Sequence, residues 1–318
     1  MSVYTPVGGD ELRAFLATYD VGELRDYRGI SAGIENTNYF VDTSGGRWVL
    51  TLFETLPEAE LPFCLDLMGH LAARGVPSPR PQPDRQGQVL RRLNDRPAAL
   101  VQRLSGASVS SPSVNHCAAM GRALGRLHRA AGDFPGVRAN SRGPAWWQQA
   151  AARLDGRLDA AQAALLREEL AHQERFRHLD LPTGIIHGDL FHDNALFEAT
   201  RISGLIDFYY ACRDVLLFDV AIAVNDWCVR ADGTLDEHRA NAALSAYAAE
   251  RPLQAVEALA WAPLLRAAAL RFWLSRLVDL HFPRPGEITH TKDPQVFRRI
   301  LERHIAAPPS LPAPLLPG

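Results

Sequence analysis

Between Tyr27 and Phe53 apolar and polar positions alternate, with Ile30, Tyr39, Val41, Trp48, Leu50 and Leu52 set among polar residues. A period of two sends successive side chains to opposite faces and predicts strands. Ser31-Ala32-Gly33 and Ser44-Gly45-Gly46 interrupt the pattern, and glycine supplies the positive φ of a tight turn, so three antiparallel strands are expected. From Ala59 to Ala73 the period changes: Leu61, Leu65, Met68 and Leu71 recur at intervals of three and four, the mark of one helix face, which Gly75 ends with Pro77 beyond. Two further apolar runs, Gln88 to Leu93 and Pro97 to Leu104, complete a five-strand sheet carrying one helix. A short helical stretch around Asp10 to Thr18 precedes it.

Beyond Gly106 the pattern turns helical. Ser113 can cap a helix holding Cys117, Met120, Leu124 and Leu127, and helical spacing covers about Trp146 to Leu154, Ala160 to His178, Leu216 to Cys228, Asp236 to Ala249 and Ala255 to Leu280. The exception is Gly184 to Phe208, where Ile185-Ile186, Ala195-Leu196-Phe197 and Gly204-Leu205-Ile206 are short apolar islands that predict short strands with exposed loops. Five prolines among Ala307 to Gly318 predict a disordered tail. The class is α+β: a small antiparallel sheet lobe over residues 1–103, a larger helical lobe over 104–306, and a tail over 307–318. Two packed units suit 318 residues, because single cores stop growing at about 250 to 300.

Composition removes several function classes. Hydrophobic residues make up 47% and charged residues 22%, so the chain folds. Its net charge of -2 offers no field to hold a phosphate backbone, which speaks against nucleic acid as a partner. Among 34 basic residues the only Lys is Lys292, which argues against a Schiff-base pyridoxal enzyme. Cys64, Cys117, Cys212 and Cys228 form no CxxC pair and have no His at finger spacing, so buried thiols of a cytoplasmic protein are expected. Met1 to Asp10 lacks a basic start with an apolar run, and no stretch approaches the 18 or so apolar residues that span a bilayer; no membrane partner is expected.

The polar residues between the islands carry the chemistry. His187-Gly188-Asp189-Leu190-Phe191-His192-Asp193-Asn194 puts an Asp and an Asn five positions apart, and Ile206-Asp207-Phe208 follows. A carboxylate at the start of such a loop can take a proton from a substrate hydroxyl, while an amide oxygen and a second carboxylate are hard ligands for Mg²⁺. Those are the parts of a phosphoryl-transfer site.

The loop and Asp207 resemble the catalytic loop and metal aspartate of the aminoglycoside/choline kinase group, and the Asp-to-Asn spacing is that of the protein-kinase pattern H-R-D-x-x-x-x-N. Within that group the chain is most similar to the homoserine kinases. Gly33-Ile34-Glu35-Asn36-Thr37-Asn38-Tyr39-Phe40, Trp48-Val49-Leu50-Thr51-Leu52-Phe53-Glu54 and Asn225-Asp226-Trp227-Cys228 carry that likeness, which runs from about Ser2 to Leu280. The resemblance implies a two-lobed protein-kinase-like fold with the nucleotide in the N-terminal lobe, ATP and Mg²⁺ as cofactors, and phosphorylation of L-homoserine, the step feeding threonine synthesis. It implies Asp189 as base, Asn194 and Asp207 as metal ligands, and Gly33, Asn36, Thr51 and Gln102 at the nucleotide. His187 is expected to order the loop, and Asp219 to accept its N–H groups. A zwitterionic acceptor must be held at both ends: Asp226 suits the ammonium and Arg271 or Arg276 the carboxylate, with Trp227 and Tyr209 lining the cleft.

One position departs from the group. Many relatives place a Lys on the third strand where this chain has Thr51, and Glu60, at the head of the following helix, lacks that partner. Either an arginine such as Arg28 or Arg47 meets the phosphate charge, or backbone N–H groups and Mg²⁺ suffice. Choline, ethanolamine or an aminoglycoside are competing acceptors, although Arg230 and Arg239 among Asp232, Asp236 and Glu237 do not make the acidic wall that a polycation favours. The missing Lys also admits a catalytically silent nucleotide-binding regulator, against which intact Asp189, Asn194 and Asp207 count. A small-molecule acceptor is the only partner implied, and no oligomeric state is read.

Overall fold

The computed structural model describes residues 5–30, 36–283 and 292–315. Strands β1 (Leu24–Gly29), β2 (Asn36–Thr43), β3 (Gly46–Phe53), β4 (Arg91–Leu93) and β5 (Arg96–Gln102) form one antiparallel sheet in the order β1-β2-β3-β5-β4. One face of β2 and β3 is buried while the other is only partly covered along β2, which explains the alternation. Tyr39, Val41, Leu50, Leu52, Ala98 and Leu100 share a core with Leu12, Phe15 and Leu16 of helix α1 (Gly9–Leu16). Phe53, Ala99 and Val101 join Leu61, Leu65 and Met68 of helix α2 (Leu61–Ala73) in a second core that runs on into the helical lobe.

That lobe holds α3 (Val114–Ala130), α4 (Pro144–Arg153), α5 (Ala160–Glu174), α6 (Leu216–Trp227), α7 (Glu237–Glu250), α8 (Ala255–His281) and α9 (Gln295–Ala306). Ser113 caps α3, its Oγ accepting His116 N–H at 3.3 Å. A Cβ added to Gly121 would lie 2.0 Å from Ala243 O, so the backbones of α3 and α7 touch and only glycine fits. Four short strands, β6 (Thr183–Ile186), β7 (Ala195–Glu198), β8 (Arg201–Leu205) and β9 (Cys212–Val215), pair as β6-β9 and β7-β8. Because β6 and β9 are antiparallel with Ile186 opposite Cys212, the loop leaving β6 and the segment entering β9 emerge at the same end. This placement puts residues 187–194 beside residues 206–211.

Two features differ from expectation. Helix α9, which the sequence pattern does not predict, buries Phe297, Ile300, Leu301 and His304 at helical spacing. The proline-rich stretch expected to be a disordered tail instead buries Leu311 and packs Leu315 against the core through residue 315. Prolines forbid a helix or a central strand but not the docking of apolar side chains between them. All four cysteines are buried free thiols. Among the described residues no helix is long and apolar enough to cross a membrane.

Candidate active site

Gly188 has φ +74°, and a Cβ there would lie 2.7 Å from Tyr210 O, so the residue before Asp189 is glycine for both conformation and space. Asp219, fully buried in the first turn of α6, accepts His187 N–H at 2.7 Å, Gly188 N–H at 2.8 Å and His128 Nε2–H at 3.0 Å. Burial pushes its carboxyl up, but the bonds from His128 and the loop more than compensate and hold it below the usual carboxylate range. The His187 ring donates Nε2–H to Ile206 O at 3.0 Å and accepts Asp189 N–H at Nδ1 at 3.3 Å. Burial lowers its pKa, which favours this neutral tautomer. Trp227 Nε1–H donates to Leu190 O at 3.0 Å. The loop is thus held from three directions before any ligand arrives.

The same bonds bring the three expected residues together. Asn194 Nδ2 donates to Asp189 O at 2.8 Å and reaches Asp189 Oδ2 at 3.2 Å, which commits its nitrogen and turns its amide oxygen away from the base. Ile206 N–H donates to Asn194 O at 3.0 Å, and the next residue, Asp207, is exposed in a left-handed conformation with φ 66°. An amide oxygen and a carboxylate are the hard donors a nucleotide-bound divalent ion takes. Among the described residues no group of three or more His, Cys, Asp or Glu could hold a metal.

Residues 26–253 match the phosphotransferase enzyme family. The chain belongs to that family. Homoserine kinases from Methylobacillus flagellatus and Cupriavidus pinatubonensis are 52% and 48% identical to it; the alignments cover 96% of this chain in both cases and 96% and 97% of the respective relatives. Among proteins of known structure, an amicoumacin kinase in complex with AMP-PNP, Ca²⁺ and Ami superposes with a TM-score of 0.73 at 15% identity, covering 95% of each chain. A microcompartment-associated aminopropanol kinase gives 0.71 at 19% identity, covering 94% of this chain and 98% of its own. The two-lobed architecture is therefore that of the phosphotransferases.

Around Asp189 the phosphotransferase site is rich in charge. Arg271 is buried, stacked on Phe272 at 3.7 Å and Tyr210 at 4.9 Å, with Nη1 3.5 Å from Asp189 Oδ1. Asp226 Oδ2 accepts both the backbone N–H and Nδ1–H of His192, at 2.7 and 2.6 Å. The Asp226 hydrogen bond raises the His192 pKa against the opposing effect of burial. Arg276 donates to Asp293 O at 2.8 Å; burial pulls its pKa down against the opposing pull of Asp226, Asp293, Asp193 and Asp189. Lys292 lies 3.3 Å from Asp193.

Several expected site residues lie elsewhere. Trp227 is fully buried and holds Leu190, so it is core and not a cleft wall. Tyr209 packs edge-on against Phe53 at 5.2 Å and hydrogen-bonds to Thr51, which puts it at the lobe junction and not with the acceptor groups. Thr51 is 2% exposed and donates to Asn38 Oδ1 at 2.7 Å, a neutral buried hydroxyl that cannot offset phosphate charge. Asn36 is buried with its Oδ1 accepting Glu54 N–H at 3.4 Å. Gln102 is exposed at the end of β5, where the chain passes between lobes. Gly33 lies outside the described residues. Arg47, the second residue of β3, lies four residues before Thr51, roughly 13 Å along a strand, and Arg28 stacks on Phe40. Glu60 pairs instead with Arg138, at 2.7 Å. The sequence reading assigns no site contact to His192, Lys292 or Arg138. His192 sits inside the catalytic-loop motif and was legible there; the other two meet their partners only through the fold.

Proposed function

We propose that the chain transfers the γ-phosphoryl group of ATP, with Mg²⁺, to the side-chain hydroxyl of L-homoserine. The observation that carries the reaction type is the convergence of Asp189, Asn194 and Asp207 at one end of β6 and β9. The acceptor follows from likeness to homoserine kinases along nearly the whole chain. In this reading Asp189, at about the 2.6 to 3.2 Å such transfers need, accepts the hydroxyl proton as the hydroxyl oxygen bonds to the γ-phosphorus and the bond from that phosphorus to the departing ADP breaks. Arg271, 3.5 Å from that carboxylate, and Arg276 supply positive charge for the acceptor carboxylate. Asp226 receives the acceptor ammonium, with His192 fixing its orientation. Asn194 and Asp207 would hold Mg²⁺, which neutralises phosphate charge.

Coupled ADP release over a panel of hydroxyl compounds tests this. Turnover of L-homoserine far above choline, ethanolamine, aminopropanol and aminoglycosides is expected. Turnover of one of those without homoserine would overturn the acceptor assignment, and Mg²⁺-independent ATP binding with no turnover of any would overturn the kinase reading.

A further inference from the structure

Glu60 stands at the N-terminus of α2 in the sheet lobe, and its cation comes from the other lobe. The Arg138 side chain is 7% exposed. Its Nε and Nη2 both lie 2.7 Å from Glu60 Oε2, and its Nη1 donates to Tyr209 O at 2.7 Å and Ala211 O at 2.8 Å. Those two carbonyls belong to the turn that immediately follows Asp207. Arg213 N–H donates to Arg138 O at 2.8 Å, so the backbone of Arg138 is itself tied to β9.

We propose that Arg138 is a positioning residue that sets how the chain holds a metal–nucleotide complex, by fastening the Asp207 turn to the α2 carboxylate. The inference rests on Asp207 as a metal ligand and adds what keeps it in place. Asp207 has φ 66°, a conformation that a non-glycine residue keeps only when its surroundings over-determine it. Arg138 captures two carbonyls of the turn that follows Asp207, Tyr209 O and Ala211 O. Tyr210 O, between them, is the atom against which Gly188 packs, so the same turn also braces the loop bearing Asp189. A planar guanidinium can serve a carboxylate on one edge and two carbonyls on another; an ammonium offers a single nitrogen and cannot span them. With no Lys before position 292, this contact gives Glu60 a charge partner and makes the approach of the two lobes part of the metal site's rigidity.

The test compares Glu60→Gln, Arg138→Lys and Asp207→Asn, each checked for folding by thermal unfolding. Calorimetric titration of ADP over a range of Mg²⁺ concentrations is read beside the KM for homoserine. Glu60 is 39% exposed at its side chain, so Glu60→Gln should fold even if Arg138→Lys does not. Glu60→Gln is expected to weaken Mg²⁺-dependent ADP binding about 5- to 10-fold and Arg138→Lys about 30-fold, on the scale where tenfold is one decade of Kd, with the homoserine KM within twofold. Asp207→Asn should abolish the Mg²⁺ dependence. If it does and the folded Glu60 and Arg138 variants bind Mg²⁺ and ADP as the parent does, Arg138 only stabilises the fold and the inference fails. If Asp207→Asn leaves Mg²⁺ dependence intact, the metal assignment itself falls, and this inference with it.

Discussion

Replacing Asp219 by Asn changes one atom in a fully buried side chain that touches neither acceptor nor nucleotide. The carboxylate accepts three hydrogen bonds, from His187 N, Gly188 N and His128 Nε2, at 2.7 to 3.0 Å. An amide keeps one accepting oxygen; its nitrogen then faces donors. His128 can answer in part by moving its proton to Nδ1, because the Tyr247 hydroxyl 2.9 Å away can accept as well as donate. A backbone N–H cannot. Bonds to charged groups are worth about 1.5 to 3 kcal/mol each, and loss of the buried charge recovers some desolvation, so a net destabilisation of about 3 kcal/mol is expected, large beside a total of about 5 to 15. The loop bearing Asp189 should shift, and a displacement of ~1 Å costs about 100-fold in rate. Urea unfolding followed by circular dichroism reads the first quantity, and steady-state kinetics the second, with kcat falling about 100-fold and both KM values little changed. An unfolding free energy within about 1 kcal/mol of the parent together with an unchanged kcat would refute the claim that this carboxylate organises the loop.

Two other perturbations have defined outcomes. Gly188→Ala forces a side chain into φ +74° and within 2.7 Å of Tyr210 O, so it should lower stability by about 1 to 3 kcal/mol and depress kcat more than either KM; a wild-type melting temperature would contradict the geometry. Burial pulls the His304 pKa down to about 4, and Arg266 adds to the shift. Between that value and the unfolded value of about 6.5 the unfolded chain binds the extra proton, so stability is present above pH 6.5 and lost as pH falls, by about 2 kcal/mol at pH 5. Unfolding curves at pH 7 and pH 5 should therefore differ less in His304→Gln than in the parent, and an equal difference would show that another group controls the acid limb.

Much of this protein could be read one segment at a time. The alternation of β2 and β3, the helical spacing of α3 under its Ser113 cap, and the His187 to Asn194 loop are local patterns, because strand and helix periods and turn chemistry act over a few residues. Helix α9 carries an equally local pattern at Phe297, Ile300, Leu301 and His304. Other assignments depended on which segments meet. Trp227 and Tyr209 look like pocket aromatics in a list of residues, yet packing sends one into the core and the other against Phe53. Arg138 and Glu60 are 78 positions apart, Lys292 and Asp193 are 99 apart, and no periodicity links either pair. Charge partners of this kind are set by the segment before α4, which lies between β9 and the N-terminus of α2, and by the return of the chain after α8. A local pattern records which way a side chain faces, and only the closed fold determines what it finds there.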